Sequence, residues 1–443
     1  MVSPQEEESL VYDVKLSSVG PGRITGSDVF HNPSGLDLAM KLHYIKIIYF
    51  FESEVAKNLN IMKIKESSFY LFNHYFITCG RFRRSEYGRP LIKCNDCGAR
   101  FIEAKCKVTL DEWLANKNWP SYKLLVSQQV IGPELSFSPL VLMQILFLQI
   151  THFKCGGASF GLSWAHILGG PLSASDFINT WGQTMVNLCL DKSINVPRAL
   201  KLNQTISDKH PICVKKVDSV GDHWILPNNI KMDTFSFLVS NPQINYLQEN
   251  IWGQNDNRTP PFESICAIIW QCLAQVKGGF KPNIVTVCKT DPHRMRNDII
   301  GNNQMIKKVE ADSKYSIVNT DLRILASLLA NQGIDEVSEI EKAIEKEEGI
   351  ADFFVYGANL TFVDLQEINV YDLQLMGHKP RFVYYTLQGV GDEGVVLVMP
   401  CNNGSTNNCN DGKFVTIILA EDQMVKFKIE LKINGLLLES DLE

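Results

Sequence analysis

His166 is the residue whose type and setting could do chemistry, within Gly161-Leu-Ser-Trp-Ala-His166-Ile-Leu-Gly-Gly170. A hydroxyl becomes a good nucleophile when a nearby base removes its proton, and histidine suits that role near neutral pH. Gly161 permits close backbone approach before the histidine, and Gly169-Gly170-Pro171 favours a turn after it. The pattern predicts His166 at a strand end, where its side chain can face a cleft. Because His166 lies close to Trp164 in the sequence, the alternative is that its side chain is part of the core.

Ser159 offers a second chemistry in the same segment. Gly157-Ala-Ser159-Phe-Gly161 matches the GxSxG nucleophile elbow of serine hydrolases. That elbow requires a strand, a sharp turn and then a helix. The residues that follow Ser159 continue an extended apolar pattern, so the hydrolase interpretation is the weaker of the two.

The composition is that of a globular protein with two domains. A chain of 443 residues with 45% apolar and 21% charged residues suits two cores of ordinary size. A net charge of -6 provides no basic field, so no nucleic-acid partner is predicted. The acidic N-terminus has no apolar core and predicts no secretory signal. Leu140 to Ile150 is too short to span a bilayer and is interpreted as a buried strand.

The cysteine usage predicts reduced thiols and no metal ion. Twelve cysteines are scattered along the chain, as is typical of a cytosolic protein. Cys94-Asn-Asp-Cys97 has the spacing of half a zinc site, but no second pair accompanies it. Asn-Asp is turn chemistry, so we expect a strand pair around it.

Alternating strand and helix signals indicate a mixed α/β layer fold that positions these residues. We predict a first domain over residues 1–200, a crossover over 201–225 and a second domain over 226–443. Helical spacing is seen at 55–76, 265–276 and 336–348, the last with Val337, Ile340 and Ile344 on one side. Residues 393–400 and 414–419 are predicted to form two strands.

Several segments together resemble the plant BAHD acyltransferases, which move acyl groups from coenzyme A to hydroxyls or amines through an HxxxD motif. Phe153-Lys-Cys-Gly-Gly157 precedes the His166 segment, and Ser173-Ala-Ser-Asp-Phe-Ile-Asn-Thr-Trp181 follows it. Further similar segments are Leu36 to Tyr44, Cys79-Gly-Arg-Phe-Arg-Arg84, Phe262-Glu263 with Ala267 and Trp270, Asp291-Pro-His-Arg-Met-Arg296, and Gly301-Asn302.

The resemblance implies two chloramphenicol-acetyltransferase-like domains with a channel between them. In such a fold His166 would be reached from both ends of the channel, with acyl-CoA as a possible co-substrate and no bound cofactor. A segment near 360–390 would pack on the first domain. Leu140 to Gln149 is several residues longer than the matching family strand.

Two departures from the family pattern concern its chemistry. Gly170 stands where the family has the aspartate of HxxxD, so Arg294 or Arg296 would lack its expected structural partner, and Asp176 lies too late to substitute. The DFGWG signature should precede a Lys-Pro, but Tyr371-Asp-Leu-Gln-Leu-Met-Gly-His-Lys379-Pro380 keeps only the flanks. With these departures the chain looks like the eceriferum/glossy wax clade of the family.

That clade implies an accessory protein of very-long-chain fatty acid elongation for cuticular wax. It would act with a 3-ketoacyl-CoA synthase on the cytosolic face of the endoplasmic reticulum or in the cytoplasm, as a monomer apart from that contact. The alternative is an active acyl-CoA-dependent O- or N-acyltransferase with His166 as general base. Neither the acceptor nor the surface that binds the condensing enzyme follows from the sequence.

Overall fold

A computed structural model describes most of the chain. The described residues are 10–115, 119–127, 146–186, 210–253, 260–278, 281–290, 300–312, 316–401 and 412–437. Their structure is a mixed α/β fold, as the sequence predicts, built around two large sheets.

The first sheet carries the strand that leads to His166. Its order is β1 (Val11–Val19), β6 (Ala99–Cys106), β7 (Leu146–His152), β8 (Ala158–Ala165), β3 (Tyr44–Phe51) and β16 (Phe382–Gln388). Only β6 and β7 run parallel; the other neighbours are antiparallel. Every residue of β3 and β8 is buried, and most residues of both strands are apolar.

The second sheet forms the other half of the molecule. Its order is β10 (Met232–Ser240), β18 (Gly412–Ala420), β17 (Val395–Cys401), β15 (Leu360–Asp364), β11 (Ile284–Thr290), β12 (Gln304–Glu310) and β13 (Ile334–Asp335). β15 runs parallel to both of its neighbours, and the remaining pairs are antiparallel. The two strands predicted near 393–400 and 414–419 are β17 and β18.

The remaining strands of the described residues form two small sheets. β2 (Phe30–His31), β5 (Pro90–Lys93) and β4 (Arg81–Arg84) form one, and β9 (Lys215–Val217) with β14 (Asp352–Phe354) forms the other. The expected pair around Cys94 is wrong, because β5 pairs with β4 whereas β6 belongs to the first sheet. The stretch Asn95 to Gly98 is a connection between sheets, with positive φ at Asp96 and Gly98.

Helices cover both sheets. They are α1 (Gly35–Ala39), α2 (Ser53–Asn58), α3 (Ile61–Leu71), α4 (Leu110–Ala115), α5 (Pro171–Val186), α6 (Asn241–Trp252), α7 (Pro261–Val276), α8 (Leu322–Asn331), α9 (Val337–Lys346) and α10 (Glu421–Ile433). The predicted helix at 265–276 is α7. The predicted stripe of Val337, Ile340 and Ile344 is the buried side of α9.

The helical signal over 55–76 is two helices rather than one. α2 ends at Asn58 and α3 begins at Ile61, because the side chain of Asn60 accepts a hydrogen bond from the Met62 N–H and caps the new helix. No helix within the described ranges is long and apolar enough to cross a membrane.

One strand of the second half completes the first sheet. β16 pairs with β3 over its whole length, from Phe382 opposite Phe50 to Gln388 opposite Tyr44. The chain then enters β17 of the second sheet within a few residues. Gly389 makes that exit feasible, since its φ is +81° and a Cβ there would lie 2.1 Å from the Leu42 carbonyl oxygen. The halves are therefore joined by shared strand pairing.

Candidate functional site

His166 lies directly after the last residue of β8. It opens a short 3₁₀ turn, His166–Leu168, which leads through Gly169 into α5. The Trp164 indole N–H holds the turn by donating to the Gly169 carbonyl at 2.9 Å. Gly169 has φ of +152°, and a Cβ there would lie 2.8 Å from the Gly301 nitrogen. Because Gly169 has no side chain, the turn can contact Gly301 of the second half.

The His166 side chain is fully buried, whereas the sequence led us to expect a side chain facing a cleft. Its relative exposure is 0%. Nε2 lies 2.9 Å from the Tyr356 hydroxyl oxygen, and that hydroxyl donates to Gln304 Oε1 at 2.9 Å. The Tyr356 hydroxyl therefore lies between the His166 ring and the Gln304 side chain. The Nε2 position, where an acceptor hydroxyl could bind, is occupied by a hydroxyl of the protein itself.

The electrostatics of the site keep His166 neutral. Burial lowers the pKa of His166 to about 4. The backbone carbonyl of His166 and the side chain of Asn302 act in the opposite direction and only partly offset the effect of burial. An imidazole with so low a pKa is a weak base at neutral pH. The arrangement suits a histidine held in a core better than one that removes protons from alcohols.

A second histidine, His43, fixes the backbone that carries Tyr356. Its Nδ1–H donates to the Gly389 carbonyl at 2.8 Å, and its Nε2 accepts from the Val355 N–H at 3.0 Å. Burial, together with the nearby His166, lowers the pKa of His43 to about 3. Both ring nitrogens are satisfied, so His43 is a structural histidine that positions Tyr356 against His166.

Gly170 lies against the second half of the chain. Its N–H donates to the Gly301 carbonyl at 3.3 Å. A Cβ at Gly170 would lie 3.3 Å from Asn302 Oδ1 and 3.5 Å from Gln304 Cγ. Arg294 and Arg296, the candidate structural arginines, lie outside the described residues. Asp176 is exposed on α5 and does not take the place of an acid at position 170.

Asp37 supplies the acidic contact between the halves. Its Oδ1 accepts from the Asn302 backbone N–H at 3.0 Å and from the Asn302 side chain at 2.8 Å. The Asn302 Nδ2 also donates to the His166 carbonyl at 2.9 Å. Asp37 additionally caps α1 through Ser34. The backbone of His166 is therefore anchored, through Asn302, to a carboxylate distant in sequence.

The loop that replaces the DFGWG signature keeps a structural role. Leu375 and His378 exchange backbone hydrogen bonds across a tight turn whose central residues, Met376 and Gly377, both have positive φ. The loop packs on α5, where a Cβ at Gly182 would lie 2.8 Å from the Gln374 carbonyl oxygen. It supports the helix that follows His166 without presenting an acid or an aromatic ring to the histidine.

The structure excludes the nucleophile elbow at Ser159. The motif lies inside β8, and Ser159 pairs with Phe50 on one side and Thr151 on the other. A serine in mid-strand lacks the sharp turn into a helix that exposes an elbow nucleophile.

Cys94 and Cys97 differ in setting, the first buried and the second exposed, and the cysteines of the described ranges are free thiols. No group of three metal ligands occurs in the part of the chain that the structure describes.

Tyr356, Gln304, Asn302 and Asp37 were not predicted from the sequence as parts of this site. Tyr356 lies 190 positions after His166 and Gln304 lies 52 positions before Tyr356. Such contacts leave no local spacing pattern. Gly301-Asn302 was noted only as a similar segment, so its polar side chain was the one available signal.

Comparison with known proteins gives concordant matches. The model of the Transferase family matches residues 31–433. Protein ECERIFERUM 26-like of Arabidopsis thaliana is 40% identical over 438 residues, covering 98% of each chain. Protein ECERIFERUM 2 of Arabidopsis thaliana is 36% identical, covering 96% of this chain and 99% of its own. The crystal structure of vinorine synthase superposes with a TM-score of 0.71 at 20% identity, covering 96% of this chain and 98% of its own. The predicted acyltransferase-type fold is confirmed.

Proposed function

We propose, from the premise that this chain belongs to the BAHD-type Transferase family and to its eceriferum-like branch, that it is an accessory protein of very-long-chain fatty acid elongation. The elongated acyl chains are used for the biosynthesis of cuticular wax. The protein acts with a 3-ketoacyl-CoA synthase at the cytosolic face of the endoplasmic reticulum. The near full-length similarity to two eceriferum proteins supports this proposal.

The observation that carries the proposal is that the His166 side chain is closed off from solvent. A general base must reach the proton of its acceptor, and His166 has no exposed surface. Its Nε2 is bound to Tyr356, and burial keeps its pKa far below neutral pH. Gly170 removes the family acid as well. A protein with this site acts through its surface or its shape rather than by transferring acyl groups.

The test is the acyl chain-length profile of cells that express a 3-ketoacyl-CoA synthase with this protein. We compare the wild type with His166→Gln, because glutamine retains an amide donor toward Tyr356. The matched control is His378→Gln, which changes an exposed histidine on the turn after Leu375. We expect all three proteins to lengthen the products equally. Loss of lengthening in His166→Gln alone, at normal abundance and melting temperature, contradicts the proposal.

The alternative, an acyl-CoA-dependent acyltransferase, has its own test. Purified protein is incubated with acyl-CoA and candidate alcohols or amines, and free thiol is measured. We expect no thiol release that depends on the acceptor. Acceptor-dependent release that disappears in His166→Gln would make the chain an enzyme with His166 as its base.

A further inference from the structure

Ile24 is the most exposed large apolar side chain of the described residues, at 92%. It lies in the loop between β1 and β2, and hydrogen bonds hold this loop on both sides of it. The Gly22 N–H donates to the Phe69 carbonyl of α3 at 3.2 Å. The Thr25 N–H donates to Asp96 Oδ2 at 2.8 Å. Because both neighbours are held, Ile24 projects into solvent from an anchored turn.

The outer side of α3 continues this apolar surface. A Cβ at Gly22 would lie 2.3 Å from the Phe69 ring, so the loop lies directly against that ring. Phe69 is 42% exposed, and Met62, two helical turns before it, is 67% exposed. An α-helix returns to the same side after about seven residues, so Met62 and Phe69 share the outer side of α3. The inner side of the helix carries its buried residues, which are Ile64, Ser67, Ser68 and Leu71.

Two lysines flank the apolar side chains of α3. Successive positions of an α-helix are about 100° apart, so Lys63 and Lys65 lie on opposite sides of the line from Met62 to Phe69. Glu66 is the single acidic residue of this helix. The outer side of α3 therefore combines exposed apolar side chains with a net positive charge.

Arg23 adds a third cation beside Ile24. Burial and the nearby Arg23 both lower the pKa of His74, which follows α3 in the chain. The guanidinium of Arg23 therefore lies near the end of this helix. The acidic residue of the loop, Asp28, accepts a hydrogen bond from Ser27 Oγ at 3.0 Å. The loop and α3 thus form one basic surface from which apolar side chains project.

We propose that this surface, formed by Arg23, Ile24 and the outer side of α3, docks on an anionic phospholipid membrane. Ile24, Met62 and Phe69 enter the boundary between the headgroups and the acyl chains, where apolar side chains leave water. The cationic side chains keep their charged ends among the lipid phosphates while their stems lie along apolar surface. This contact goes beyond the proposed function, because it is made with lipid and requires no condensing enzyme.

The distribution of charge favours a membrane over a protein partner. Lys63, Lys65 and Glu66 lie among the exposed apolar side chains. A protein that covered this surface would remove these three charges from water, which is unfavourable unless each finds a partner. The headgroup layer of a membrane leaves the charges hydrated while the apolar side chains beside them are buried. A side chain that projects as far as Ile24 also suits a deformable surface.

The exposed side of α10 provides the comparison. It carries a second apolar row, formed by Val425, Ile429 and Ile433. This helix begins with Glu421 and Asp422, which anionic lipids repel. We therefore assign no membrane contact to α10.

Sedimentation of the full chain with lipid vesicles tests the proposal. Vesicles of phosphatidylcholine are compared with vesicles that also contain about 30 mol% phosphatidylserine, an anionic lipid. The wild type should bind the anionic vesicles roughly tenfold more tightly in about 0.1 M NaCl, and about 0.5 M NaCl should remove most of this preference. Ile24→Ser combined with Met62→Ser should bind roughly tenfold more weakly. Lys63→Gln combined with Lys65→Gln should lose most of the preference for anionic vesicles.

Matched substitutions on α10 are the control. Val425 is 68% exposed, as Met62 is at 67%, and Lys426 is exposed as Lys63 is. Val425→Ser and Lys426→Gln should therefore bind vesicles as the wild type does. Equal affinity of the wild type and the Ile24→Ser, Met62→Ser variant overturns the proposal, as does wild-type binding without a preference for anionic vesicles. Loss of binding in the α10 variants alone would place the contact on α10 and overturns it as well.

Tryptophan fluorescence tests whether the loop enters the membrane. On binding to anionic vesicles, Ile24→Trp should gain emission that lipids brominated along their acyl chains quench, and Val425→Trp should gain none. A bound Ile24→Trp whose added emission is not quenched would show that the loop stays outside the acyl layer, against the proposal. These measurements contain no condensing enzyme, so their failure is distinct from a failure of the chain-length profile that tests the proposed function.

Discussion

At the residue scale, removal of the hydroxyl group from two buried tyrosines should affect the stability of the protein differently. Tyr356→Phe leaves the buried Nε2 of His166 without its hydrogen-bond partner, so we expect the free energy of unfolding to fall by about 1–3 kcal/mol. Tyr385→Phe removes a buried hydroxyl that has no partner among the described residues, so stability should be unchanged or higher. Urea unfolding at neutral pH measures both. Equal losses in the two variants would mean that the His166 contact has no stabilising role.

The two buried histidines predict how stability depends on pH. His43 and His166 have folded pKa values of about 3 and about 4, below the ordinary histidine value. Between about pH 6.5 and 4 the unfolded chain therefore binds protons that the native chain does not, and stability falls as pH falls. Over this pH range each histidine lowers the free energy of unfolding by up to about 3 kcal/mol.

The same measurement separates the buried histidines from the exposed ones. Urea unfolding at several values between about pH 7 and 5 should show a shallower decline for His166→Gln than for the wild type. His378→Gln should follow the wild type. An unchanged decline in His166→Gln would show that this ring is protonated in the native state.

At the residue scale, the sequence predicted the features that depend on residues close together in the chain. Gly161 and the Gly169-Gly170 pair identified the strand and turn around His166, since glycine requirements act over a few residues. The burial of His166 depends on Tyr356 and Gln304, whose positions are set by strand pairing in the other half.

At the element scale, a deeply buried ion pair joins the first half to β14, and the crossover is attached to the same carboxylate. Lys41 and Asp352, at 2% and 7% side-chain exposure, lie 2.6 Å apart, and Asp352 also accepts from the Val220 N–H at 2.7 Å. Asp352→Asn leaves a buried ammonium uncompensated, so we expect a loss of about 3–5 kcal/mol in the free energy of unfolding. Thermal and urea unfolding measure this loss.

A second ion pair supplies the matched control. Arg84 and Asp222 also join the first half to the crossover, but both are about one-third exposed, at 37% and 34%. Asp222→Asn should therefore cost less than about 1 kcal/mol. Adding Lys41→Met to Asp352→Asn should recover most of the lost stability. Similar losses at the two pairs would show that burial does not govern their strength.

Elements with strong periodicity were predictable, and their partners were not. α7 and α9 followed from apolar spacing of 3.6 residues, and β17 and β18 followed from short continuous apolar runs. The break between α2 and α3 was missed, because a cap by Asn60 is a single side-chain contact within a helical pattern. The connection from Asn95 to Gly98 has turn composition, and the sequence does not specify which strands it joins.

At the scale of the whole molecule, the predicted boundary near residue 200 remains a prediction, and β16 gives it a test. Residues 1–200 expressed alone lack the strand that covers one edge of β3, all of whose residues are buried. Such an open apolar edge favours aggregation. We expect this fragment to be insoluble or oligomeric by size-exclusion chromatography.

A fusion that returns the missing strand is the control. Residues 378–392 attached to the fragment through a flexible linker should raise the soluble monomeric fraction several-fold, because β3 regains its neighbour. A fragment 1–200 that is already monomeric would show that β16 is dispensable for the first half.

Strand sharing also sets a delay during synthesis. β16 is made more than two hundred residues after β8 is complete. At about 5–20 residues per second, the ribosome needs roughly ten to forty seconds to supply it. Throughout that interval β3 has one unpaired edge, for which other nascent chains can compete. The yield of folded protein should therefore depend on translation speed and on the supply of chaperones that bind nascent chains.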